Sequence, residues 1–575
     1  MFKYKFYSFS YNNKIQQIVE HSISYCLVIQ LESVKILIGS FLNENTLIKY
    51  TSNSEVSVPK ENNYYPIFPF SSSEIEDIKE IFTDLDIVIT THFDQILALP
   101  YIISALKINI EKIKFLTTEP IIQLSRSYFS EFYTNFNSIL LGQNINENDI
   151  ILITDTEIDN ILQKYQKLNF CEQLNAFTQS LDPSLMIELT SNGYELGSSN
   201  VTIHYFNKRI CVLTKSSLFS YRYPKKFDYE HIRNVDVLIE FPGIINENTN
   251  NKYEKVVAAL MNDINNSAAK TDTQTKRFYS NILMIVDPFF IFEFVDIFRY
   301  KISKDIHHVY ISKSVDSLMK YANINTGFIN EKSIDKIYEF KLPFSFDEIE
   351  NFSHFSSFNS LIKSNLPIVK EIINSICPIT YFVNKFSFNS NFAKDLVEFF
   401  IENLCETVDK ILLVNYPYEI SSDKFSQNRK INIKHYYVDY RLSKEDYDVV
   451  ISQINPETIY ALQKDMYDNA NTNNQYNKKQ YEIGKWYLEK FNVDKEGIYY
   501  NKCYLLSQPK KSDDITYSFT KKNLKLYLSS KSKKDSKDAN QPIEVSEDNP
   551  IEIFENLLKK YLAMNNMEII EFLSI

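Results

Sequence analysis

Residues 85–100 read LDIVITTHFDQILALP. The stretch opens with a short apolar run, 87–89, bounded by polar residues, which is the signature of a brief buried strand. Five of the next six residues are polar, Thr90, Thr91, His92, Asp94 and Gln95, and the chain then turns apolar again through Ala98-Leu-Pro100. Imidazole and carboxylate two residues apart at a strand end are donors of the kind that hold zinc. Threonine and glutamine are not.

Working outward, similar apolar runs at 25–31, 34–38 and 150–153 read as further strands, and helical spacing appears at 73–82 and 123–132. Residues 186–205 give two strands around Asn192-Gly193, and 210–213 and 235–239 give two more. A polar, Asn-rich stretch at 246–275 reads as loop plus one helix. Then 282–286 starts a second unit, with strands at 308–311 and 379–383 and helices at 291–300 and 392–401. A third set follows, with strands at 410–414, 435–438 and 458–462 and a helix at 444–453. Strands mixed with helices throughout indicate a layered α/β protein. Residues 464–479 read as a linker, and 507–549 as a charged loop with a Lys-rich centre at 531–537. From Asn549 the character changes. Asn549 as N-cap, Pro550 and Glu552 open a helix whose Ile551, Phe554, Leu557, Leu558, Tyr561 and Leu562 share one face. A last apolar strand is expected at 567–575.

The 575 residues suffice for several domains. The net charge of −11 argues against a dedicated nucleic-acid binder, which needs clustered Lys and Arg. The six cysteines (Cys26, Cys171, Cys211, Cys377, Cys405, Cys503) form no CxxC pair, so they read as reduced core thiols of an intracellular protein. No apolar run approaches the length of a membrane span, and the N-terminus lacks a signal-peptide core. Only eight glycines occur, so each marks a place where the backbone needs one. No Gly-rich phosphate loop or Gly-x-Ser-x-Gly elbow is found. His307-His308, at a strand start, reads as structural, and His21, His204, His231, His354 and His435 are isolated.

Several segments, in order, resemble the metallo-β-lactamase/β-CASP proteins of RNA 3′-end processing. They are Ala98-Leu-Pro-Tyr-Ile102, Thr117-Thr-Glu-Pro-Ile-Ile-Gln-Leu-Ser-Arg126, Asn192-Gly-Tyr-Glu-Leu-Gly-Ser-Ser-Asn200, Asp236-Val-Leu-Ile239 and Asp439-Tyr-Arg-Leu442. The third is the most specific and is similar to the Integrator branch of that family. The resemblance implies an αββα sandwich with an inserted β-CASP α/β domain and a small C-terminal α+β dimerisation module. The implied divisions are 1–245 and 405–506 for the sandwich and its linker, 246–404 for the insert, 507–548 for the charged loop and 549–575 for the interaction segment.

The resemblance also implies that a metal site has decayed. The family's His-x-His-x-Asp-His becomes Thr90, His92, Asp94 and Gln95. An early strand that should end in Asp runs into Gly39 and Ser40. Tyr194 stands for a His after Gly193, Ser216 for the bridging Asp of a Thr-Gly-Asp turn, Tyr437 for a further His, and Gln463 for the late His. An acidic residue expected near 241 is Phe241. Asp287-Pro288 replaces a Gly-Arg turn near RNA. No metal, cofactor or catalytic residue is therefore expected. His92 and Asp94 should hydrogen-bond neighbours such as Ser216 or Tyr194, and Tyr194 and Tyr437 should plug the cavity. The implied function is a non-catalytic nuclear scaffold of the Integrator complex. It pairs with a catalytic paralogue, the eleventh Integrator subunit, contacts the fourth, and supports small nuclear RNA 3′-end processing and nascent RNA cleavage, meeting RNA indirectly. The alternatives are the same role in the cleavage and polyadenylation factor, a hydrolase with a relocated metal site, or a metal-free RNA-binding subunit.

Overall fold

The structure is a computed structural model. It describes residues 3–10, 23–31, 34–40, 72–141, 152–175, 185–240, 253–268, 281–286, 290–304, 306–346, 349, 351–355, 379–384, 408–415, 432–460, 497–500 and 503–506. Gln463, Phe241, Asp287-Pro288, the helix expected at 392–401, the linker, the charged loop and the C-terminal face from Ile551 to Leu562 lie outside them.

The described residues form a mixed α/β protein built on three sheets. The first sheet contains β1 (Lys3–Ser10), β2 (Ile23–Leu31), β3 (Val34–Gly39), β4 (Ile87–Ile89), β5 (Lys114–Thr118) and β6 (Tyr165–Leu168) side by side in that order. β1 to β3 pair antiparallel, and β3 to β6 parallel. The second sheet contains β7 (Gln173–Asn175), β8 (Leu185–Ser191), β9 (Ser199–Tyr205), β10 (Lys208–Leu213) and β11 (Val237–Glu240). The third sheet is parallel throughout. Its strands are β12 (Asn281–Val286), β13 (His307–Ile311), β14 (Phe352–Phe355), β15 (Ile379–Asn384), β16 (Val408–Val414) and β17 (Asn432–Tyr436), in the order β14-β13-β15-β12-β16-β17. After it the chain returns to the second sheet with β18 (Thr458–Tyr460), parallel to β11, and to the first with β19 (Gly497–Tyr500) and β20 (Cys503–Leu506). The third sheet is thus an insertion between two neighbouring strands of the second.

Period-2 alternation decides how the first two sheets stack. Leu27, Ile29, Ile36, Ile38, Ile87 and Ile89 from one sheet meet Leu185, Ile187, Leu189, Val201, Ile203 and Val212 from the other, all essentially inaccessible to solvent. A one-residue slip of any strand would turn these side chains out of the seam, so burial fixes the register. The alternate residues face helices. Val28, Leu37, Val88 and Phe115 pack with residues of α1 (Ser72–Thr83), α2 (Phe93–Leu97), α3 (Leu99–Leu106), α4 (Glu119–Leu141) and α5 (Asp155–Lys164). Cys211, Leu213 and Leu238 of the second sheet pack with Tyr447, Val450 and Ile454 of a helix at Lys444–Ile454. The result is four layers: helices, sheet, sheet, helix.

In the third sheet β12 reads NILMIV with Ile282 to Val286 all buried, the near-continuous apolar run of a parallel strand covered on both faces. Its covering helices include α6 (Tyr253–Ala268), α7 (Phe290–Lys301) and α8 (Val315–Ile324), followed by α9 (Glu331–Tyr338); the Lys444–Ile454 helix is α10.

Three expectations change. The division expected at 404 cuts the third sheet, because β16 pairs β12 and β17 pairs β16, carrying the insert to Tyr436. The apolar run at 150–153 gives no strand over its described part. Ile153 instead exchanges hydrogen bonds with the side-chain amide of Asn137 (2.9 and 3.3 Å), and Thr154 then caps α5 in a capping box with Glu157. The strand expected at 435–438 is Asn432–Tyr436, after which the Asn415 amide brackets Val438 in the same manner (2.7 and 3.2 Å). In both cases an asparagine side chain supplies the pairing that a neighbouring strand would have given. No helix among the described residues is long and apolar enough to cross a membrane.

Candidate functional site

β4 is buried on both faces and delivers Thr90 to the strand end, where its N–H donates to Leu116 O (3.1 Å) and its carbonyl accepts from Thr117 Oγ1 (2.7 Å). The chain then starts α2 with His92 as N-cap. Gln95 closes this turn. Its Oε1 accepts from Thr91 N (2.8 Å), His92 N (3.3 Å) and Thr91 Oγ1 (3.3 Å). That is the returning half of a capping box, so the amide serves the helix start.

His92 is buried, and both ring nitrogens lack a hydrogen-bond partner among the described residues. Its ring meets Tyr194 edge-on, with centroids 5.5 Å apart. Burial pushes its pKa down to about 3, against the pull of Asp94 and with a further push from Lys215. The imidazole is therefore neutral.

The loop between β8 and β9 sets Tyr194. Asn192 Oδ1 accepts from Tyr194 N (3.0 Å) and Ser198 Oγ (2.5 Å), while its Nδ2 donates to Thr214 Oγ1 (3.0 Å). Gly193 has φ +71°, and a Cβ there would lie 2.3 Å from Ser217 O. Gly197 has φ +79°, and its Cβ would lie 2.6 Å from that of Pro120. Both positions require glycine.

Beyond β10, Thr214 is pinned by Asn200 Oδ1 (2.9 Å) and Ser199 O (2.7 Å). Lys215 then donates to Asp94 Oδ2 at 3.1 Å. Burial opposes the lysine charge, but Asp94, Tyr194 and Glu195 outweigh it and hold the pKa above the usual range. Ser216 Oγ donates to its neighbour Thr214 O (2.8 Å), and its carbonyl accepts from Leu442 N (3.0 Å).

The structure thus brings His92, Asp94, Gln95, Tyr194 and Ser216 into one neighbourhood. It changes the contacts expected of them. Asp94 is held by Lys215, and His92 meets Tyr194 through ring packing alone. Gly39 closes β3 opposite Cys26 at φ +96°. Tyr437 stacks on His435 (6.2 Å), and the ring that packs on Tyr194 is Tyr440, at 4.7 Å.

Two further residues carry the site: Tyr440, within the quoted Asp439–Leu442 segment but given no role there, and Arg222, which the sequence did not single out. Tyr440 donates to Glu195 Oε1 (3.1 Å). Arg222, 1% exposed, lies over the Tyr440 ring at 3.4 Å, donates to Tyr194 O (2.6 Å) and pairs with Glu293 Oε1 of α7 (2.6 Å). Tyr253 of α6 donates to the other Glu293 oxygen (3.3 Å). This cluster joins the inserted unit to the sandwich beside His92. A lysine in a Thr-Lys-Ser turn after a buried strand was the available signal for Lys215. Nothing in sequence marked Arg222 as buried.

Zinc held by protein needs about three or four His, Cys or carboxylate donors. The described residues of the site supply His92 and Asp94, and an ammonium already neutralises Asp94. These residues do not fit a metal.

No family model matches the chain. No curated protein matches it. A solved structure described as a protein of unknown function from Enterococcus faecalis V583 aligns at 10% identity and a TM-score of 0.39, covering 80% of this chain and 94% of that one.

Proposed function

We propose that this chain is a non-catalytic subunit of the metallo-β-lactamase/β-CASP type, which positions a catalytic paralogue in a nuclear RNA 3′-end processing assembly of the Integrator kind. The observation that carries the reading is the Lys215–Asp94 pair. The negative charge that a metal would neutralise in an active relative is met here by a side chain of the same protein. Gln95, at a position where the family has a ligand, is turned onto the backbone of its own helix start. Hydrolysis of the family's kind needs metal-activated water and a cationic clamp on the phosphate, and this donor set provides neither.

The architecture supports the same reading. A four-layer sandwich is interrupted between β11 and β18 by a parallel α/β unit, the arrangement that the resemblance implies. In such a fold the seam between insert and sandwich is where substrate would enter. Here Arg222, Glu293, Tyr253 and Tyr440 fill a part of that seam beside His92 with a buried, hydrogen-bonded cluster. A fixed seam suits a protein that presents a surface more than one that admits a strand of RNA.

The experiment is purification of the chain's native assembly in stringent salt, with identification of its stoichiometric companions by mass spectrometry. Recovery of a paralogue that retains the complete His-x-His-x-Asp-His motif, together with other Integrator subunits, is the expected result. Recovery of polyadenylation factors in their place keeps the scaffold role and changes the assembly. A chain recovered alone and active on RNA contradicts the proposal.

A further inference from the structure

A second group of donor side chains lies apart from the His92 site. Cys171 sits in the turn between β6 and β7, with φ +65° and its N–H donated to Leu189 O of β8 (2.8 Å). Asp228 and His231 sit on the connection between β10 and β11, anchored by Asp228 N to Ser191 O (3.0 Å). Their ligand atoms, one sulfur, one carboxylate oxygen and one imidazole nitrogen, all lie within 4.8 Å of one another. Asp228 Oδ2 is the shared vertex, 3.3 Å from Cys171 Sγ and 2.9 Å from His231 Nδ1.

We propose that Cys171, Asp228 and His231 form a binding site for a divalent transition-metal ion of the zinc class. The distances suit it. Zinc bonds of about 2.3 Å to sulfur and about 2.0–2.1 Å to nitrogen or oxygen, in tetrahedral array, put ligand atoms about 3.3–3.5 Å apart. The Cys171–Asp228 edge (3.3 Å) is already of that size, the Asp228–His231 edge (2.9 Å) opens by a few tenths of an ångström, and Cys171 and His231 close on the ion from within 4.8 Å of each other. The donor chemistry narrows the ion. Calcium and magnesium take oxygen ligands, whereas a thiolate beside an imidazole selects zinc and its neighbours. Access is open, because Cys171 is half-buried and His231 exposed. Three protein donors leave one tetrahedral position for water.

The backbone is built for convergence. A non-glycine residue at positive φ is uncommon, and here it puts the sulfur opposite Asp228. The sequence pairs Asp228 with His231 at i,i+3, and main-chain contact of His231 N with Asp228 Oδ1 (3.2 Å) tightens that turn. Nearby, Glu188 pairs with His204 (3.3 Å) and Gln173 (3.1 Å), and so adds an acidic group on the neighbouring strand. Without an ion the thiol donates to Asp228. On binding, the S–H bond ionises and its proton passes to solvent, His231 presents the ring nitrogen that carries no proton, and metal–sulfur, metal–nitrogen and metal–oxygen bonds form with no change of oxidation state. The ion would clip the β6–β7 turn to the β10–β11 connection. The inference is independent of the scaffold reading, since it uses none of the residues at the His92 site.

The test is titration of the purified, metal-stripped, reduced full chain with Co²⁺ as the zinc probe. One equivalent should produce a sulfur-to-cobalt charge-transfer band in the near ultraviolet, and Zn²⁺ should abolish it. Cys171→Ser should remove the band, and His231→Asn should weaken Co²⁺ binding by at least about tenfold. Asp94→Asn should leave both readouts unchanged, and circular dichroism establishes that each variant is folded. Absence of the band in the wild-type chain overturns the proposal, as does a band that survives Cys171→Ser. Should the serine variant not fold, the wild-type band and its weakening in His231→Asn decide the matter.

Discussion

The seam between the first two sheets and the cluster around Arg222 hold the same protein together by opposite means. Across the sheets, twenty side chains meet, all aliphatic but for Tyr205. At Arg222, the guanidinium, the Glu293 carboxylate and the rings of Tyr223, Tyr253 and Tyr440 share a buried volume. The first tolerates small errors, since each residue contributes on the order of 1.5–3 kcal/mol by leaving water. The second is conditional. A buried charge is stable only while every partner is present, and removing one partner leaves the other uncompensated.

The largest effect should follow from breaking that condition. Arg222→Met leaves Glu293 without its cation and should cost about 3–5 kcal/mol in urea denaturation. Adding Glu293→Leu should restore much of that loss, because the double variant buries no orphaned charge. A double variant as weak as the single one would show that packing, and not charge, is what the cluster supplies. In the aliphatic seam, Ile203→Ala opens a cavity between sheets and should cost about 2–4 kcal/mol, with no rescue by any polar change elsewhere.

A third test lies at another contact between sandwich and insert. Glu131 of α4 accepts from Ser312 (3.3 Å) and Ser314 (3.1 Å) beyond β13. Burial raises its pKa from 4.5 to about 7, against the pull of these serines and Lys313. A carboxyl with a raised folded pKa binds more protons folded than unfolded, so its contribution weakens as pH rises. Stability should fall between about pH 4.5 and 7, by no more than about 3 kcal/mol. Glu131→Gln should flatten that slope. A slope unchanged in the variant would place its origin elsewhere. The smallest effect is expected at Lys215→Met. Its side chain is 36% exposed, so solvent screens the pair with Asp94 and the loss should stay below about 1 kcal/mol in the same urea experiment.

How far the sequence could be read follows the same divide. Short apolar runs bounded by polar or turn residues announced β2, β3, β8, β9 and β10, because such a run is a local signal. The Gly193 and Gly197 loop was legible for a related reason, as glycines are scarce and the backbone there needs positive φ. The site positions Thr90, His92, Asp94, Gln95, Tyr194 and Ser216 were pointed to by the resemblance. Their partners could not. Lys215 reaches Asp94 across 121 residues, Tyr440 reaches Glu195 across 245, and Arg222 meets Glu293 in another unit. Cys171 and His231 were read as a reduced core thiol and an isolated imidazole for the same reason. Only the fold brings them within reach of each other.

The central claim is that His92 and Asp94 do no chemistry. The direct test is RNA cleavage by the purified native assembly, with wild-type chain and with a His92→Ala/Asp94→Asn variant that still assembles. The account predicts equal cleavage rates, and loss of cleavage only when the paralogue's own metal ligands are changed. A loss of cleavage in the variant assembly, or metal-dependent cleavage by this chain alone that the variant abolishes, would contradict it.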